Sequence, residues 1–201
     1  MGNLFASAPR VGYIGGQRSS RGFSLIEVLV SAFVLALGVI GALGMQMSAL
    51  QTARQSAFHA EAMHFATEVA DQMRASALGG PTPEPDNPYL QIDHTAGQAP
   101  ERNAMTCYRV TANCDLFEMA AFEVAEWLAR VDTALPDARV RICRDDSPWN
   151  GATGAFEWDC ASAATRSPSV VIKIGWRDAG ETMAQARQGA PRIVLPVAML
   201  P

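Results

Sequence analysis

The chain has almost no lysine: Lys173 is the only one among 201 residues, beside fifteen arginines. We read that bias as genomic composition and not as a phosphate-binding device. No Lys/Arg cluster appears, and the formal net charge is −4. An acidic chain has no overall field drawing it to nucleic acid. Only an exposed patch of Arg139, Arg141 and Arg144 would offer a route to DNA. Catalytic signatures are also missing. There is no serine in a G-x-S-x-G context and no glycine-rich phosphate loop. The three histidines are His59, His64 and His94. The first two fall on a predicted stalk helix and the third in a proline-rich connector. No nucleophile, base and orienting acid come together. A membrane-anchored extracytoplasmic enzyme, the competing class, therefore finds no support, and we expect no catalytic residue, cofactor or metal.

The longest absence is of charge. Between Glu27 and Arg54 stand 26 uncharged residues, whereas a helix needs about 20 to cross a bilayer core. From Phe23 to Leu43, thirteen residues are Leu, Ile, Val or Phe. At ~0.3–0.6 kcal/mol each they favour insertion by roughly 4–8 kcal/mol. A charge at mid-bilayer costs ~2.5–3.5 kcal/mol, and Glu27 lies near the end of the run, so insertion wins. Residues 1–22 hold Arg10, Arg18 and Arg21 and no acid, leaving −7 for the remainder. The positive-inside rule then keeps the N-terminus cytoplasmic and sends the rest outward. The apolar run is too long for an ordinary secretory signal, whose core spans about 7–15 residues. Such a signal also gives no reason for Glu27. A membrane-embedded acid is costly and is a functional hypothesis by default.

Gly22-Phe23-Ser24-Leu25-Ile26-Glu27-Val28-Leu29-Val30 resembles the class III signal of type IV prepilins and pseudopilins. The resemblance implies that a prepilin peptidase cuts between Gly22 and Phe23 on the cytoplasmic side and N-methylates Phe23. It also implies that Glu27 is retained for assembly. Cleavage creates a cationic amine at Phe23, and in a filament core Glu27 of one subunit can approach that amine on the next. Two unit charges ~4 Å apart attract by ~4 kcal/mol at an effective dielectric near 20. The chain departs from the family's major subunits at Gly44, where those commonly carry a proline. Gly38, Gly41 and Gly44 are spaced three apart instead. Each weakens a helix by ~1 kcal/mol relative to alanine. The segment is either a place to soften during assembly or a small-residue packing face.

The helical pattern continues beyond the apolar run, with Phe58, Met63 (or Ala62), Phe65, Val69 and Met73 at helical intervals. Gly79-Gly80-Pro81 stops it. A helix from Phe23 to Leu78 is roughly 84 Å long at 1.5 Å per residue. Glu61, His64 and Glu68 hint at a metal-binding helix, but di-metal bundles need a second Glu-x-x-His motif. We read them as a solvated face. Residues 79–100 hold five prolines and three glycines, which predicts a loop-rich connector with a solvent-exposed His94.

Beyond the connector, a short extended piece precedes a second helix. Asp115 and Glu118 suggest a capping box at its start. Phe117, Ala120, Val124, Leu128, Val131 and Leu135 line one face, Trp127 lies near that face, and Pro136 ends the helix. "ARVRIC", "SVVIKIGW" and "RIVLPVAM" read as strands. Val140 and Ile142 point inward. Val170, Ile172, Ile174 and Trp176 share one face, and Lys173 and Arg177 the other. Pro196 marks an edge strand. "DDSPWNGATG" is turn-rich, and "RDAGETMAQARQGAP" connects the last two strands. Four cysteines, Cys107, Cys114, Cys143 and Cys160, lie downstream of a membrane signal, which suggests disulfides in an oxidising compartment. Neither gap is a C-x2-C zinc knuckle. Cys107–Cys114 and Cys143–Cys160 would each clip a short loop, the longer for ~3 kcal/mol. Diagonal pairing stays open.

The expected fold is α+β: a long N-terminal helix packed on a small antiparallel sheet, as in type IV pilins. The expected divisions are a basic leader (1–22), a transmembrane or filament-core helix (23–53), its amphipathic half (54–78), a connector (79–106) and a head (107–201). "ATEVADQMRA", "EWLARVDTALP" and "VVIKIGWRD" look like the minor-pilin family called type IV pilus modification protein PilV. That resemblance implies a subunit of the pilus or its tip complex, supporting assembly, adhesion and twitching motility. The implied partners are prepilin peptidase, major and minor pilins, the inner-membrane assembly machinery and, before assembly, the lipid bilayer. The implied location is the inner membrane, head in the periplasm, then the pilus. A minor pseudopilin of type II secretion is the alternative. The acidic C-terminal loop of calcium-binding major pseudopilins has no counterpart here.

Overall fold

A computed structural model of the protein describes residues 22–76, 87–98, 107–109, 112–161 and 169–198. The expected leader, apart from Gly22, and much of the connector lie outside the described residues. The chain divides into two units, one ending at Met47 and the other running from Ser48 to Pro201. Helix α1 (Leu25–Ala75) contributes to both. In the first unit α1 buries nothing against its own chain, although a helix that is apolar all round is the kind that a membrane or a large core buries.

The second unit is the head. Its part of α1 turns Ala62, Phe65, Ala66, Val69, Ala70 and Met73 into the core. Ala62 and not Met63 takes the inward position, and Met63 is exposed. Helix α2 (Leu116–Ala134) starts at Asp115, whose side chain accepts from the Glu118 N–H while Glu118 reaches back to the Asp115 N–H. It stops at Leu135, which is extended as the residue before a proline favours. Ala120, Val124, Trp127, Leu128 and Val131 form its buried face. Phe117, expected on that face, is exposed, and fully buried Trp127 fills the inner stripe instead. The Trp127 ring meets Phe65 edge-on at 6.3 Å, and its indole N–H donates to the Phe65 carbonyl at 3.2 Å. α1 and α2 are thereby joined by both a ring contact and a hydrogen bond.

Four antiparallel strands form the sheet, in the order β1 (Asp93–Thr95), β2 (Arg139–Arg144), β5 (Val170–Gly175), β6 (Ile193–Val197). Val140, Ile142, Val170, Ile172 and Ile174 join the helices in one core. β6 is an edge strand, where Pro196 costs no ladder hydrogen bond on its free side. The fold is thus α+β, a long helix packed on a small antiparallel sheet.

Four expectations need correction. The connector is not all loop: Pro88–Gln91 form a 3-10 turn and β1 follows it. His94, expected in solvent, sits on β1 and is buried, its Nε2 3.0 Å from both carboxylate oxygens of Asp132 on α2. Cys107–Arg109 are a turn and not an extended piece. Lys173 is on the face opposite Ile172, but that face is not in water, and Lys173 is fully buried. Two smaller elements also emerge. The turn-rich stretch holds a hairpin of β3 (Trp149–Asn150) and β4 (Ala155–Phe156). The last connection holds the short helix α3 (Met183–Gln188), opened by a Thr182–Gln185 capping box.

Candidate functional site

Gly22, Phe23 and Ser24 precede α1 without regular structure. The Ser24 carbonyl accepts from the N–H groups of Glu27 (3.0 Å) and Val28 (3.3 Å), so the helix begins there. Glu27 lies in the first turn, where a carboxylate complements the helix macrodipole by ~0.3–1 kcal/mol. Its side chain is exposed, and among the described residues no side chain pairs with it. Ser31 Oγ donates to the Glu27 backbone carbonyl at 2.6 Å and not to its carboxylate. Phe23, Leu25 and Ile26 are 83%, 80% and 69% exposed. The apolar surface continues through Leu50 and is far more than a soluble monomer presents. The most apolar window of α1 has mean hydropathy 2.5, and none of it is buried within the protein. By length and composition this helix can cross a membrane.

The Gly22–Phe23 peptide ahead of the helix, an acid one turn in and a rod of apolar side chains that is exposed among the described residues form one arrangement. The family model described as the prokaryotic N-terminal methylation motif matches residues 17–43. The chain carries that motif. The match supports a type IV pilin-like protein, and the apolar helix fits membrane anchoring. Searches of curated proteins and of solved structures found no significant match.

Beyond that motif, several polar residues serve the head's own architecture. Among the described residues, no three His, Cys, Asp or Glu side chains are grouped to hold a metal. Glu68, one of the three residues hinting at a metal motif, takes a fork of hydrogen bonds from Arg130 on α2. That bond, more than the neighbouring charges, raises the Arg130 pKa. His59 lies against the Trp176 ring at 6.0 Å and His64 against Phe65 at 6.2 Å. Arg139 and Arg141 face Asp93 on β1, and Arg141 also faces Asp159, so these two are partly neutralised within the head. In the structure Cys107 is bonded to Cys114 and Cys143 to Cys160.

The constellation that sequence reading missed surrounds Lys173. Its Nζ donates to Asp145 Oδ2 at 2.6 Å and to the carbonyls of Glu157 (2.8 Å) and Asp159 (2.6 Å). Neither Lys173 nor Asp145 exposes its side chain. Asp145 Oδ1 accepts from the N–H groups of Ser147 (2.9 Å) and Ala161 (3.4 Å). The ammonium thus clamps the segment bridged by Cys143–Cys160 onto the outer face of β5. The available signal was the chain's single lysine standing inside a run of Val and Ile.

Proposed function

We propose that the chain is a minor pilin of a type IV pilus, most like the family called type IV pilus modification protein PilV. It is stored in the inner membrane with its head in the periplasm. Prepilin peptidase removes residues 1–22 and methylates Phe23, and residues 23–53 then exchange lipid for the filament core. The protein joins other pilins through the inner-membrane assembly machinery, in the pilus or its tip complex, and it is a fibre component, not an enzyme. One observation carries this reading. Among the described residues no side chain pairs with the Glu27 carboxylate, and the uncharged stretch 28–53 that follows it in α1 is exposed throughout.

The physical role of Glu27 follows from that setting. An unpaired charge in lipid is costly. The new Phe23 amine of a neighbouring subunit neutralises it only on assembly, for ~4 kcal/mol at contact. Bilayer and filament core are both apolar, so the rest of the helix loses little in the transfer. The disulfides fit an oxidising compartment.

Mass spectrometry of the mature N-terminus, with and without prepilin peptidase, tests the class. The expected product begins at methylated Phe23 and disappears without the peptidase. An intact leader in the native protein, or trimming outside the cell, overturns the reading. Deleting the protein and comparing surface pili with secreted enzymes tests the system. Fewer pili with normal secretion supports the pilus; the reverse supports the pseudopilin alternative.

A further inference from the structure

The segment from Asp145 to Ala161 is held far more firmly than a surface loop requires. The Cys143–Cys160 bridge closes it, and the buried Lys173 clamp ties its two ends together. Trp158 seals it to the sheet: its indole N–H donates to the Gly189 carbonyl at 2.6 Å, and the Arg139 guanidinium stacks on its ring at 4.3 Å. The hairpin β3–β4 is what this anchoring presents to solvent. Trp149 there is 50% exposed and meets Phe156 edge-on at 5.0 Å.

Phe156 of this ring pair also lines an open cup of about 400 Å³, with Glu157, Asp159, Gln188 and Arg139 among others. Its rim is polar. Asn150 Nδ2 donates to Glu157, and Asn150 Oδ1 accepts the Ala152 N–H at 2.8 Å, so the hairpin's own turn orients that carboxylate. The Asp159 side chain is 97% exposed, and Gln188 is exposed at the end of α3.

We propose that this cup, with the Trp149–Phe156 ledge beside it, binds a neutral saccharide. A pyranose has an apolar face of C–H groups and a rim of hydroxyls. Exposed aromatic rings supply a surface for the first, while carboxylates and a side-chain amide supply paired acceptors and donors for the second. Glu157 and Asp159 are balanced by the guanidiniums of Arg139, which lines the cup, and Arg141, which faces Asp159, so no net positive charge is present to hold an acidic sugar. The anchoring means little ordering is needed on binding, the usual way a small contact area is made effective. The proposal concerns the head alone and does not rest on the pilus reading.

The test uses the full-length chain in detergent on an array of glucose-, galactose-, N-acetylglucosamine- and sialic acid-terminated glycans. The best ligand is then titrated by calorimetry. Binding to at least one neutral class and not to sialylated glycans is expected. Trp149→Ala should weaken it about tenfold or more with an unchanged melting temperature. If that variant is destabilised, Glu157→Gln and Gln188→Ala are judged by the same criterion. No binding to neutral glycans, a preference for sialylated ones, or full affinity in folded variants overturns the proposal. Trp149-dependent capture of a protein in place of any glycan does so too.

Discussion

Replacing Lys173 by methionine keeps an unbranched, flexible side chain one heavy atom shorter and removes the charge and its donors. In the native head the ammonium satisfies Asp145 and the carbonyls of Glu157 and Asp159. The variant leaves a carboxylate with no solvent exposure held only by the Ser147 and Ala161 N–H groups. Breaking a buried pair from one side costs about 3–5 kcal/mol, because the remaining charge is stranded. For a chain of this size each kcal/mol moves Tm by ~2–4 °C, so Lys173→Met should lower it by roughly 6–20 °C. Scanning calorimetry of the full-length protein in detergent, disulfides intact and at one scan rate, measures this. A second variant separates charge from shape: Lys173→Met with Asp145→Leu removes both partners and should recover much of the loss. A shift below about 2 °C in the single variant would refute the clamp. So would a double variant no better than the sum of its parts.

Three further outcomes are expected. Glu27→Ala should insert and be cleaved normally yet enter fibres at least about tenfold less; immunoblots of sheared fibres against membranes measure this, and normal incorporation would sink the pairing role. Gly175→Ala should cost about 1–3 kcal/mol by overpacking, because an added Cβ would stand 2.9 Å from the anchored Trp158 ring; an unchanged Tm would show that the ring moves freely. The Tyr89 phenol has a pKa raised well above its ordinary 10.0, first by burial and then by its hydrogen bond to Glu123. A raised folded-state pKa contributes stability that is complete below pH 10.0 and is lost as pH climbs toward the folded value. Tyr89→Phe should therefore be less stable than the parent at pH 8 and lose less on going to strongly alkaline pH. Parallel stability curves would contradict the assignment.

The parts of the fold legible in the sequence were those governed by local rules. A charge-free run of 26 residues fixes a helix whatever surrounds it. Asp115 and Glu118 announce the start of α2 because the capping box is made entirely within one turn. Pro196 marks an edge because its missing donor is a property of the residue itself. What could not be read depends on partners distant in sequence. His94 looked like a loop residue because its segment is rich in proline, yet pairing of β1 with β2 draws it inside, where Asp132 meets it. Phe117 fits the helical stripe by number, but it stands in the first turn of α2 and is exposed, whereas Trp127, which lay only near that stripe, is fully buried. Lys173 alternates correctly in its strand, yet alternation does not say that a disulfide-closed segment covers the second face.

The residues that escaped sequence reading share a role. His94–Asp132 ties β1 to α2, and Tyr89–Glu123 ties the preceding 3-10 turn to the same helix. Lys173–Asp145 ties the hairpin-bearing segment to β5. Each joins a segment poor in regular structure to a helix or strand through a polar pair in which Tyr89, His94 or Lys173 is itself buried. Apolar contacts are tolerant of sliding, whereas a buried donor must meet its acceptor or incur the full desolvation cost. Short segments with few apolar side chains are therefore held in register by such pairs. Residues 87–98 are accordingly part of the head and not a linker, since two polar pairs and a strand pairing would have to break together to release them.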